Sequence, residues 1–163
     1  MILGMPTPTF TLLHVAISLM AIATGAVVIF GMCHGRLLGA WTLTFLVTAG
    51  ATSMTGFLFH PATFGPPHVI GIISLGLLAL AVHALYSRRL DGRWRSIYVV
   101  SAVMVLYLNA FVGVVQAFQK LPDLRALSAG PSYALAHALV VSGFFAVGMI
   151  ALRRFRPATR TAT

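Results

Sequence analysis

The sequence predicts an all-α fold, a polytopic membrane helix bundle of five transmembrane helices, and three observations carry that prediction. Hydrophobic residues make up 59% of the 163 positions and charged residues only 8%, against roughly 25% charged in soluble domains. Apolar runs recur at about the 20 residues that a helix needs to cross a hydrocarbon core of about 30 Å. The basic residues fall outside those runs, where they act as topology signals. With no water in the bilayer core, every backbone amide must bond within its own segment, so apolar runs without a barrel's alternation form helices. The chain is therefore a single transmembrane domain over residues 1–163, with no room for a separate soluble domain.

Each element follows from its local sequence. The segment MILGMPTPT is broken by Pro6 and Pro8, and the first span runs from about Phe10 to Met32. Ala21-Ile22-Ala23 mimics a signal-peptide cleavage pattern, but no basic stretch precedes it and the apolar run continues, so an uncleaved helix is expected. After CHGRLLG a second span covers about Ala40 to Phe59, carrying six hydroxyl residues from Thr42 to Thr55 that let helices approach closely. Pro66-Pro67 suits the first turn of a third span from about His68 to Tyr86, since proline lacks an N–H that would have no partner there. The arginine-rich turn SRRLDGRWRS, with Trp94 at interfacial depth, leads to a fourth span from about Ile97 to Phe118. QKLPDLRALSAGPS is a polar connection with a short surface turn. A fifth span, about Ser132 to Leu152, precedes a basic tail over 153–163.

Five spans place the chain ends on opposite sides. The side of the first and third turns and the tail holds Arg36, Arg88, Arg89, Arg93, Arg95, Arg153, Arg154, Arg156 and Arg160, whereas the other side holds Lys120 and Arg125. Such an imbalance of Lys and Arg sets the C-terminus in the cytoplasm and the N-terminus outside. It also explains the net charge of +9 as attraction to anionic lipid headgroups at the cytoplasmic face, with no nucleic-acid partner. Cys33 is the one cysteine, without the neighbours that a disulfide, zinc site or covalently attached haem requires.

The distribution of acids weighs against several functions. Asp91 and Asp123 are the two carboxylates, both in connections, so no span carries the intramembrane acid on which proton relays depend. Walker, H-E-x-x-H and G-x-S-x-G motifs are absent, and no catalytic residue is assigned. What remains lies at helical spacing. His14, Ser18, Ala21 and Gly25 share one face of the first span, and Tyr98, Ala102, Val105, Asn109 and Gln116 share one face of the fourth. At 1.5 Å of rise per residue, His14, His68 and His137 fall at similar depth near the outer end, together with Gln116 and Gln119, beneath a loop capped by His60. Three imidazoles suit a transition metal, and a pair such as His14 and His137 suits haem b. Asn109 and Gln116 are candidates for binding a small polar ligand or quinone. The plainer expectation is that each histidine locks the bundle or sits at the interface, as His34 and His83 do, and that no cofactor is bound.

The segments TLLHVAISL (11–19), ATSMTGFLF (51–59), HVIGIISL (68–75) and IYVVSAVMVLYLNAFVGVVQAFQKLP (97–122) resemble small uncharacterised integral membrane proteins of proteobacteria, over nearly the whole chain. That resemblance implies a multi-pass protein of the bacterial inner membrane and transfers no functional residue. The early histidine among hydrophobic helices is also similar in style to membrane b-type cytochromes, without their repeated histidine pairs. The expected function is a structural or accessory component that packs against another membrane protein or a second copy. A haem or metal redox protein and a small-solute permease are the alternatives.

Overall fold

The computed structural model describes residues 1–59, 65–128 and 130–156. His60, the expected cap of the outer loop, and Arg160, within the expected tail, lie outside the described residues. Among the described residues the chain is helical in six segments: α1 (Thr7–Cys33), α2 (Gly39–Phe57), α3 (Pro66–Val82), α4 (Arg93–Lys120), α5 (Pro122–Arg125) and α6 (Pro131–Arg154). A π-helical turn, His83–Ser87, extends α3. Proline opens α3, α5 and α6 at the first or second helical position, as its missing N–H allows.

Four of these helices are long and apolar enough to cross a membrane: α1, α3 with its π turn, α4 and α6. The expected second span, α2, is not among them. Its six hydroxyl residues dilute its hydrophobicity, and several spend their hydroxyls on their own helix. Thr44, Thr48 and Thr55 each donate to the carbonyl four residues back, at 3.0, 2.7 and 2.7 Å. Such internal bonds satisfy the hydroxyl without a second helix.

The long helices alternate in direction. His14 near the start of α1 meets Thr55 near the end of α2, while Gly31 near the end of α1 meets Leu38 just before α2. Phe57 lies against Gly71 at the opposite end of the α2–α3 pair from the arginine turns. Arg95 at the start of α4 reaches the end of α6. All arginine-rich segments described therefore gather at one end of the bundle, and His14, His68 and His137 lie toward the other.

The core is not spread evenly between those ends. Val28, Ile29 and Met32 of α1, Phe45 and Leu46 of α2, Ala81 of α3, Tyr98, Ala102 and Val105 of α4 and Ala151 of α6 are all buried, and all lie in the arginine-bearing half. Gly25 makes this packing close: a Cβ there would sit 2.7 Å from Leu106 Cδ1 and 2.8 Å from Phe45 Cε2. Small residues at such crossings let helices gain dispersion contacts, the main attraction available between helices in lipid. Toward the histidine end the burial thins to Ile2, Phe10, Thr52, Ser74 and Phe118.

The arginine end is also pinned by polar contacts. Arg95 donates from one guanidinium nitrogen to the carbonyl of Leu152 at 3.1 Å and to that of Phe155. A cation on the last carbonyls of a helix neutralises their unpaired partial charge. Phe155 is fully buried and packs against Tyr98 with ring centroids 5.9 Å apart. In the turn before α4, the Arg88 guanidinium lies 5.0 Å from the centre of the Trp94 ring and donates from Nε to His83 Nε2 at 3.3 Å.

Candidate functional site

His14 is held at the α1–α2 contact. Its Nδ1 lies 2.8 Å from Thr55 Oγ1. The Thr55 hydroxyl has one proton, which it donates to the Ala51 carbonyl at 2.7 Å, so it accepts from a protonated Nδ1. That leaves the His14 Nε2 lone pair uncommitted. The ring stands edge-on to Phe59, with centroids 5.1 Å apart, and Phe59 meets Phe10 at the same separation. Ser18, one turn on, donates to the His14 carbonyl at 2.8 Å. The α1 face expected from spacing is therefore real. Ala21 and Gly25 are buried along it, and His14 and Ser18 are half-buried where it nears the histidine end.

His68 has a different task. It is the third residue of α3, and Gly65 N–H donates to its Nδ1 at 3.2 Å while His68 N–H donates to the Gly65 carbonyl at 3.0 Å. This reciprocal pair caps the helix start, in the manner of a capping box whose returning side chain is an imidazole. With Nδ1 accepting, the proton sits on Nε2, so ligation through Nε2 would require a change of tautomer and loss of the cap. The ring faces Phe57 with centroids 5.8 Å apart.

His137 lies at the α4–α6 contact. Its Nδ1 donates to the Tyr133 carbonyl at 2.9 Å, and its ring packs on Tyr133 at 4.2 Å and edge-on to Phe111 at 4.9 Å. Its Nε2 is buried without a hydrogen-bond partner among the described residues.

The alternative of a three-histidine metal cluster finds no group to carry it among the described residues. No group of three or more His, Cys, Asp or Glu among the described residues could hold a metal ion, and His14, His68 and His137 are all described. Similar depth placed them together in the sequence reading. The helices instead turn each ring into its own aromatic niche, on Phe59, Phe57 and Phe111. Thr55, Tyr133 and these phenylalanines are the partners that sequence reasoning missed, because their contacts are set by how neighbouring helices are rotated. A signal existed only for Tyr133, at four residues before His137.

The candidate ligand residues of α4 diverge as well. Tyr98, Ala102 and Val105 are buried, as their shared face predicts, but Asn109 is half-buried and Gln116 is exposed. Among the described residues neither amide makes a hydrogen bond. His34 and His83 both lie at the arginine end: His34 is exposed and donates from Nδ1 to the Phe30 carbonyl at 2.8 Å, and His83 belongs to the exposed arginine turn.

A cavity that spacing did not suggest lies between α4 and α6. It measures about 410 Å³ and is lined by apolar side chains, including Val103, Met104, Phe144 and Leu152, with Tyr107 toward the middle of the bundle. Gly148 forms part of its wall, where a Cβ would stand 3.4 Å from Val103 Cγ1. Comparison with family models, curated proteins and solved structures finds no match to this chain.

Proposed function

We propose that the protein is a five-span bacterial inner-membrane protein, N-terminus outside and C-terminus in the cytoplasm, that serves as a non-catalytic accessory component seated against another membrane protein. What supports α2 as the fifth span is its 19-residue length, about 28 Å at 1.5 Å per residue, and its pairing with α1 from end to end. The arginine imbalance supports the orientation. The observation that carries the accessory role is the amide face of α4. Asn109, mid-helix and half-buried, and Gln116, exposed two turns on, have no hydrogen bond among the described residues, and at the depth of Asn109 an unpaired amide in hydrocarbon costs several kcal/mol. A polar group from a neighbouring membrane helix would remove that cost.

The test is a photo-crosslinking residue placed in turn at Asn109, Gln116 and the buried Ala102, in intact cells. A discrete adduct of one mass at 109 and 116 and none at 102 is the expected result. A diffuse smear or no adduct at 109 and 116 rejects a dedicated partner, and an adduct of twice the chain's mass identifies a second copy as that partner. A reporter fused after Arg156 reads the orientation independently.

A second reading, haem b ligation, draws on the tautomers of His14 and His137 alone, since the two rings occupy separate niches at the α1–α2 and α4–α6 contacts. In each the Nδ1 proton is held by an oxygen and Nε2 is left to ligate, the arrangement that outer partners impose on ligating imidazoles. Protein purified from haem-replete cells would show a Soret band lost in His137→Ala; a colourless preparation rejects it. The permease reading loses its path in the arginine-bearing half, where Val28, Phe45, Tyr98 and Ala102 close the bundle.

A further inference from the structure

We propose that the α4–α6 cleft is a binding site for an anionic phospholipid, with one acyl chain in the cleft and the phosphate between Arg93 and Arg153. The inference rests on the reading above that the arginine end lies at headgroup level.

Three features of the cleft point to this ligand. The first is length. It runs along α6 from Leu152 to Val141, eleven residues or about 16 Å at 1.5 Å per residue, which is half of a hydrocarbon core of about 30 Å. It therefore covers one leaflet, from headgroup level to mid-membrane, the path of an acyl chain. The second is chemistry. The lining is aliphatic and aromatic apart from the Tyr107 hydroxyl, and Gly148 leaves the room that a side chain would occupy.

The third is charge at the mouth. Arg153 continues the row of Phe145 and Met149 at four-residue steps, and Arg93 lies seven residues before Val100, so helical register brings both to the cleft's arginine end. Both are exposed, and neither makes a hydrogen bond or ion pair among the described residues. Arg95 beside them is already committed to the carbonyls of Leu152 and Phe155, which fixes the two helices at the spacing that leaves the cleft open. Two uncommitted guanidiniums above an apolar slot match a phosphodiester above its chain. A second copy of this chain fits less well, because a symmetric contact through this cleft would bring the two arginine pairs together, a like-charge opposition that disfavours association.

The test uses full-length protein in mild detergent and native mass spectrometry with added phosphatidylglycerol or phosphatidylcholine. Phosphatidylglycerol is expected to be retained at least about tenfold more than phosphatidylcholine. Arg93→Gln with Arg153→Gln removes that preference, while the charge-matched Arg36→Gln with Arg89→Gln keeps it. Gly148→Leu, which fills the slot, reduces retention of both lipids, and Gly148→Ala, whose Cβ finds an ordinary contact, changes little. Equal loss in the two arginine pairs overturns the site in favour of general surface attraction. Unchanged retention in Gly148→Leu overturns the acyl-chain placement, and a dimer in place of lipid adducts assigns the cleft to a second copy. Circular dichroism of each variant separates misfolding from lost binding. Release of the protein from membranes by alkaline carbonate alone would refute the membrane reading itself, before any lipid is added.

Discussion

The two ends of this bundle are built on different principles. In the arginine-bearing half, the helices meet through small residues and fully buried side chains: Gly25 against Phe45 and Leu106, Ala102 and Tyr98 in the centre, and Arg95 fastening the end of α6. In the histidine half, contacts are rings and single hydrogen bonds: His14 with Thr55 and Phe59, His137 with Tyr133 and Phe111, His68 with its own helix start. The first half is held by area and close approach, the second by separate polar or aromatic pairs. In lipid that difference matters, because no hydrophobic transfer term draws helices together and only packing and hydrogen bonds remain. The arginine half can therefore stand as a unit, and the histidine half keeps amides and a ring nitrogen available to something else. One exception lies inside the packed half, where the Tyr98 hydroxyl is buried beside that of Thr42, with no other hydrogen-bond partner for either among the described residues.

The contrast predicts unequal responses to equal chemistry. Phe45→Ala removes a ring with no exposed surface and should cost about 3 kcal/mol, whereas Phe59→Ala, bounded by Phe10 and His14, should cost about 1 kcal/mol. Unfolding of the purified protein in mixed micelles reads both, and equal losses would break the division into two halves. Arg95→Met should lower stability by about 2 kcal/mol, since two carbonyls at the end of α6 lose a charged donor. Arg95→Lys should recover part of that loss. Limited proteolysis after Leu152 would rise in the methionine variant if Arg95 is the fastener, and a wild-type cleavage pattern would remove it from that role. The smallest effect belongs to the histidine half. A double-mutant cycle of His14→Phe and Thr55→Val should give a coupling of about 0.6 kcal/mol, the usual size of an interhelical hydrogen bond in a membrane. A coupling near zero would mean that the two side chains merely adjoin.

The positions of the helices were largely legible. Long apolar runs, prolines at helix starts and arginine turns placed α1, α3, α4 and α6 within a few residues, because each of those signals acts within a turn or two of its own backbone. The α1 seam from His14 to Gly25 was legible for the same reason, since one helix's periodicity says which of its faces is crowded. The α4 seam was legible only as far as Val105. Beyond that point the neighbouring helices cover the face only in part at Asn109 and leave Gln116 exposed, and nothing within α4 itself records where a neighbour ends.

The candidate site was legible in its residue types and depths but not in its assembly. Depth along a helix follows from the rise per residue, so His14, His68 and His137 could be set toward one end from spacing alone. Whether their nitrogens converge depends on the rotation and separation of three helices, which sequence periodicity in any one of them leaves open. The tertiary structure turned each ring to a separate aromatic partner, used His68 to cap its own helix, and opened an apolar cleft between α4 and α6. By itself the sequence determined the helices, their order and the end at which charge gathers, all of which are local or one-dimensional properties. Only the tertiary structure decided which end is packed and which is open, because that depends on where glycine and alanine on one helix meet large side chains on another.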